Sequence, residues 1–185
     1  MSTRQKIIQA GVELLQTQGI AALTQPRVAR AAGVSQGNLT YHFATRNALL
    51  LAVAEAAIEA VLTQLKQVAA EPAGDDPGAI LAHLIPHQAP VRVMLGLIVA
   101  ADDEPALREA LGGLIARVRQ GIAGLLAGRA LGGSAEYALL VHAAVVGLTV
   151  MHHARQTEAS AAEIATGTRT LFRLLAADAA GSATP

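Results

Sequence analysis

The sequence predicts an all-α protein: a three-helix N-terminal helix-turn-helix unit joined by a continuous fourth helix to a C-terminal helical bundle. Three observations predict it. Apolar residues recur at helical spacing along nearly all of the 185 residues. No run alternates apolar and polar residues with the Val, Ile and Thr enrichment of a strand. With 52% hydrophobic residues and a mean hydropathy of +0.41, the chain has enough apolar surface for a sizeable core and too much for disorder.

The first helix is expected over 3–18, where Ile7, Ile8, Val12, Leu14 and Leu15 make one stripe and Gly19 provides the stop. A second helix starts near Thr24, its N-cap, with Pro26 tolerated in the first turn. Val28, Ala29 and Ala32 face inward, and the helix ends at Gly33. Ser35 caps a third helix that ends near His42. Thr45 caps a long fourth one with Leu49, Leu50, Val53, Ile58, Val61, Leu62, Leu65 and Val68 along it. The segment "AEPAGDDPG" (70–78) reads as a surface loop. Further helices are expected at 77–85, 88–101, 105–127, 135–156 and 160–178, with breaks at Pro86, Pro90, "DDEP", "GRALGGS" and "TEAS". The tail 181–185, "GSATP", is expected to be disordered. A head of residues 1–46 thus passes into a body of 47–180 within the fourth helix, with no flexible linker.

Composition narrows the function classes. There is no cysteine, hence no disulfide framework and no thiolate chemistry, in keeping with a reducing cytoplasm. The N-terminus lacks the apolar core and small-residue cleavage site of a signal peptide. The most apolar stretch, 138–151, is short for a membrane span and carries His142, so no membrane is expected. The sequence also has no glycine-rich phosphate loop, nucleophile elbow or HExxH, so neither an enzyme nor a cofactor is expected. Net charge is zero, but it is unevenly placed. Residues 1–47 hold Arg4, Lys6, Arg27, Arg30 and Arg46 against Glu13 alone, a net +4, and the remainder is −4. A basic head on an acidic body suggests that the head alone meets a polyanion.

Residues 24–43 follow helix-turn-helix grammar: two short helices joined by "AAGVS", with Gly33 free to adopt the left-handed turn and Val34 expected buried. In that arrangement the second helix enters the major groove with its N-terminal residues against base edges. Those residues are Gln36, Gly37, Asn38 and Thr40. Gln and Asn suit adenine, Gly37 permits close backbone approach, and Thr40 offers a hydroxyl and a methyl. Leu39 and Phe43, four apart, anchor the back. Thr24, Gln25, Arg27, Tyr41, His42 and Arg46 are the phosphate candidates. Arg46 opens the fourth helix, whose free N–H groups also favour phosphate.

With these residues in place, the first 50 or so positions resemble the DNA-binding domain of the TetR family of transcriptional regulators. The resemblance rests on Arg4, Ile8, Gly19, Thr24, Val28, Ala29, Ala32-Gly33-Val34-Ser35, Leu39, His42-Phe43 and Leu49. The family often has Tyr where this chain has Thr40, Lys where it has Arg46, and a large aromatic where it has Leu15. The resemblance implies that the head, 1–46, is a DNA-binding domain. It implies that the body, 47–180, binds a small molecule and forms a homodimer through its last two helices.

Leu139, Ala143, Val146, Gly147 and Val150, with Thr168, Leu171 and Leu175, would form the dimer face; alternatively these stripes face the chain's own core. After residue 43 the only aromatics are Tyr137 and Phe172, so a pocket would be aliphatic and would take a small apolar, aliphatic effector. Candidates for orienting it are His83, His87, Arg92, Arg117, Tyr137, His142 and His152. His83 and His87 have metal-clamp spacing, but Pro86 lies between them and no carboxylate accompanies them, so no metal is expected.

The reading is a cytoplasmic, homodimeric regulator that binds a double-stranded, palindromic operator and is released by its effector. The alternative is a helical ligand-binding or protein-interaction protein that has lost specific DNA reading. Thr40 and the neutral isoelectric point favour that alternative.

Overall fold

The structure is a computed structural model that describes residues 1–70, 90–102, 104–129 and 131–182. Among the described residues there are eight α-helices and no strand: α1 (Thr3–Gln18), α2 (Gln25–Ala31), α3 (Gln36–His42), α4 (Arg46–Ala70), α5 (Pro90–Ala101), α6 (Pro105–Gly128), α7 (Ala135–Arg155) and α8 (Glu158–Ser182). A 3-10 turn, Ile20–Ala22, follows α1. The loop expected at 70–78 and the helix expected at 77–85 lie outside the described residues, apart from Ala70, the last residue of α4.

The described residues form two compact units, 1–60 with 90–115 and 61–70 with 116–182. Helices α4 and α6 contribute to both. The packing unit that contains the head is therefore larger than residues 1–46, because α5 packs on α1 and on the 3-10 turn.

In the first unit, α1 starts with a reciprocal cap. Ser2 Oγ accepts from the Gln5 N–H at 3.3 Å while the Ser2 N–H donates to Gln5 Oε1 at 2.8 Å. The helix stops at Gly19, whose φ of 77° is open to glycine at little cost. Ile7, Leu14 and Leu15 are buried, together with Leu23, Val28, Leu39, Phe43, Leu49, Leu50 and Val53. At Gly11 an added Cβ would lie 2.5 Å from Val53 Cγ2, so α1 and α4 touch there through a missing side chain.

In the second unit, α7 and α8 form an antiparallel hairpin tied at both ends. Tyr137, near the start of α7, donates its hydroxyl to Asp178, near the end of α8. At the other end, His152 Nδ1 lies 2.8 Å from the hydroxyl of Ser160. The corner is tight: Gln156 has a φ of 49°, and Thr157 and Ser160 cap each other at the start of α8. Helix α8 continues to Ser182, beyond the end expected near 178, because the run "AADAA" favours helix. Gly181 and Ser182, expected in a disordered tail, therefore belong to it.

Helices α4 and α7 are long and apolar enough to cross a membrane by length and composition. This corrects the estimate made from the stretch 138–151 alone. Much of α4 is buried within the protein, and α7 is packed along α8.

Two substitutions test this packing. Gly11→Ala must displace Val53 and is expected to cost about 1–3 kcal/mol. Gly112→Ala, in α6 with nothing within 4 Å of the new Cβ, is expected to add about 0.5–1 kcal/mol. Urea unfolding measures both, and equal effects would contradict the α1–α4 contact.

A third test uses His142. Burial, and then the positive charge of Arg119, hold its imidazole below the ordinary value of 6.5. As pH falls below 6.5 the unfolded chain gains a proton that the folded chain resists, so stability declines with acidification. Thermal unfolding between pH 7.5 and 5.5 should show that decline, and His142→Gln should flatten it. An unchanged slope in the variant would contradict the burial of the ring.

Candidate nucleic-acid interface

Helix α2 and helix α3 are joined by a four-residue turn built on backbone bonds. The Gly33 N–H donates to the Arg30 carbonyl at 3.2 Å and the Val34 N–H to the Ala29 carbonyl at 3.0 Å, with Gly33 at a φ of 65°. Val34 is half-buried and not buried as expected; its backbone N–H closes the turn while its side chain lies at the edge. Ser35 caps α3 by accepting from the Asn38 N–H at 3.1 Å. Thr24 occupies the N-cap position of α2, but its hydroxyl makes no capping bond.

Helix α3 has two faces. At its back Leu39 is fully buried and Phe43, just past its end, is 4% exposed. At its front Gln36, Gly37, Asn38 and Thr40 are all exposed. The side chains of Gln36 and Asn38 make no hydrogen bond within the described residues, so both amides keep their full donor and acceptor capacity. A Cβ at Gly37 would meet nothing. Thr40 differs: its hydroxyl donates to the Gln36 carbonyl at 3.0 Å, leaving a lone pair and the methyl group outward.

The phosphate candidates divide into two groups. Tyr41 is 85% exposed and packs edge-on against the half-buried His42, with ring centroids 5.2 Å apart. Arg46 is exposed and holds the Leu23 carbonyl with its Nε–H at 3.3 Å, so its terminal amino groups remain available. Arg27 donates to Gln18. Gln25 is engaged inside the protein: its amide donates to the Phe43 carbonyl at 2.7 Å and links the start of α2 to the end of α3.

Sequence reasoning missed three features. Gln25 acts as a brace, the Arg4 guanidinium lies 5.3 Å from the Phe43 ring centroid, and Asn47 in the first turn of α4 donates to Glu104. These partners are 18, 39 and 57 residues apart, and local spacing carries no signal for them.

Of the expected effector residues, those described do not line a common cavity. His83 and His87 lie outside the described residues, as does the side chain of Arg92. Arg117 is exposed, Tyr137 is bonded to Asp178, and His142 is half-buried near Arg119. A cavity of about 480 Å³ in the second unit is lined by other residues: Leu131, Thr166, Arg169, Thr170, Phe172, Arg173 and Ala176. The expected dimer residues divide in the same way. Thr168 and Leu175 are buried in the chain's own packing, which corrects their assignment to a surface. Ala143 is exposed, Val146, Gly147, Val150 and Leu171 are half-buried, and Leu139, Leu140, Met151 and Leu174 are each about half exposed or more.

The model of the family described as bacterial regulatory proteins, tetR family, matches residues 7–53. The regulator CymR of Pseudomonas putida is 33% identical over 125 residues, covering 64% of this chain and 61% of that protein. The chain thus spans less than two thirds of the length of that relative. A transcriptional regulator from Rhodococcus sp. Rha1 has the same fold, with a TM-score of 0.76 at 19% identity over 96% of this chain and 97% of that one. The multidrug binding protein EbrR in complex with ethidium superposes with a TM-score of 0.67 at 26% identity, over 92% of this chain and 98% of that one. The matched segment encloses the α2–turn–α3 arrangement, its buried anchors and its exposed polar front, so residues 7–53 match the N-terminal model of the tetR family of bacterial regulatory proteins.

Proposed function

We propose that the chain is a cytoplasmic DNA-binding transcriptional regulator, a repressor that binds a palindromic operator as a homodimer and is released by a small effector. The observation that carries the reading is the division of α3. Its back is sealed into the protein by Leu39 and Phe43, and its front offers Gln36 and Asn38 with unused amides. On this reading Gln36, Gly37, Asn38 and the Thr40 methyl read bases, and Tyr41, His42, Arg27 and Arg46 hold phosphates, with Thr24 beside them. Gln25 braces the motif and would reach phosphate only through its backbone. The functional head is residues 1–46 and the body 47–180.

Dimerisation is supported by the apolar outer side of the α7–α8 hairpin, where Leu139, Leu140, Met151 and Leu174 are exposed near Ala143 and Gly147. Exposed apolar residues grouped on one hairpin favour an interface, and a two-fold pair presents two recognition helices to two half-sites. Effector release would act through α4, one 25-residue helix shared by both units, by changing the separation of the two α3 helices. EbrR has been seen with ethidium and proflavin. The body of this chain, with Tyr137 and Phe172 as its only aromatics, suits an aliphatic effector better.

The alternative, a helical binding protein that no longer reads DNA, is favoured by the neutral isoelectric point and by Thr40, whose hydroxyl is engaged within the helix.

Fluorescence anisotropy on an operator selected from random duplexes tests the head. Gln36→Ala and Asn38→Ala should each cost about 1–3 kcal/mol and relax base preference at one position. Arg46→Gln should weaken binding on all sequences and lower the salt slope by about 1. Unchanged base preference in both alanine variants would overturn the assignment.

Light scattering tests the dimer. Leu140→Glu combined with Leu174→Glu should give a folded monomer that binds the full operator more than about tenfold less tightly. A dimer of unchanged affinity would place the interface elsewhere.

A further inference from the structure

Helix α8 carries Thr166, Arg169, Thr170 and Arg173, spaced three and four apart, so they share one strip of the helix. That strip walls the cavity of about 480 Å³. Arg169 uses its Nε–H on the Ala165 carbonyl at 3.2 Å, and Arg173 turns one amino group to the Thr170 hydroxyl at 3.4 Å. The remaining N–H groups of both guanidinium forks have no partner among the described residues, and no acidic side chain lines the cavity. Arg155 on the same hairpin contrasts with them, being paired with Glu163. Leu131 and Ala176 supply apolar wall, and Phe172 closes the floor.

We propose that this cavity binds an amphipathic carboxylate, its head on Arg169 and Arg173 and its alkyl part along Leu131, Phe172 and Ala176. Two unpaired guanidinium groups one helical turn apart favour an anion, and each fork matches the two oxygens of a carboxylate. The threonine hydroxyls serve as further donors. The cavity volume falls within the usual span for small-molecule sites, roughly 300–1,000 Å³. An inorganic ion would fill little of it and leave the apolar wall unused. The site adds a charge requirement to the aliphatic effector proposed above. It rests on that reading for its role alone, because binding is measured without DNA.

The test is calorimetric titration of the full chain with octanoate, 1-octanol and inorganic phosphate, each given separately. Octanoate should bind, with 1-octanol and phosphate at least about tenfold weaker. Arg169→Gln with Arg173→Gln should lose octanoate binding by about tenfold or more while keeping its circular dichroism spectrum and operator affinity, and the double lysine variant should recover part of it. Equal binding of 1-octanol would make the cavity merely apolar, and equal binding of phosphate would make it an inorganic anion site. Undiminished octanoate binding in the glutamine variant would place the ligand elsewhere. Absence of octanoate binding to the wild-type chain, with loss of the dimer in the glutamine variant, would assign the strip to an interface between copies. Each of these four results overturns the proposal, and none of them bears on whether α3 reads DNA.

Discussion

The burial of Leu39 and Phe43 is the constraint on which the N-terminal unit depends. Helix α3 has seven residues, too few to persist in water by its own hydrogen bonds. It exists because one side is sealed into an apolar core and one end is capped by Ser35. Removing a buried leucine of this kind costs about 2–5 kcal/mol, comparable to a large share of a small unit's stability. Gln25 on the Phe43 carbonyl and Arg4 over the Phe43 ring then fix the far end. All of this stability lies behind the helix. The two amide side chains at the front have no structural duty, and Gln36 and Asn38 can be chosen for what they contact outside.

The second unit separates the same two tasks over a longer element. The α7–α8 hairpin is held by polar contacts at its two ends, Tyr137 to Asp178 and His152 to Ser160, and by buried Val141, Ile164, Phe172 and Leu175 between them. With its inner side buried, its outer side divides into an apolar stretch around Leu139 and Leu174 and a basic strip around Arg169 and Arg173. On the readings proposed above, the apolar stretch would meet a second copy of the chain and the basic strip an anionic ligand.

Much of the first unit was legible because its signals are local. The bounds of α1, the left-handed Gly33, the Ser35 cap and the four-residue spacing of Leu39 and Phe43 all lie within a few residues of what they control. The signals that failed were contacts between distant positions. Nothing beside Gln25 says that its amide will meet Phe43, and nothing near Asn47 points to Glu104. In α8 the stripe of Thr168, Leu171 and Leu175 was correctly apolar in pattern, but periodicity does not say which partner covers it. Thr168 and Leu175 turned inward, and Leu174, one residue away on the helix, stayed out. Arg169 and Arg173 passed unnoticed because a basic pair on a helix looks like any solvated face until a wall such as Leu131 stands opposite.

The central claim is that a rod pinned from behind lays its leading end against base edges. Chemical-interference footprinting on a selected operator measures this directly, because modified purine N7 positions report contact in the major groove. The account predicts two interference patches in the major groove on one face of the duplex, with centres one helical turn, roughly 34–36 Å, or a whole multiple apart. Interference confined to phosphates, with no purine position affected in either half-site, would contradict it.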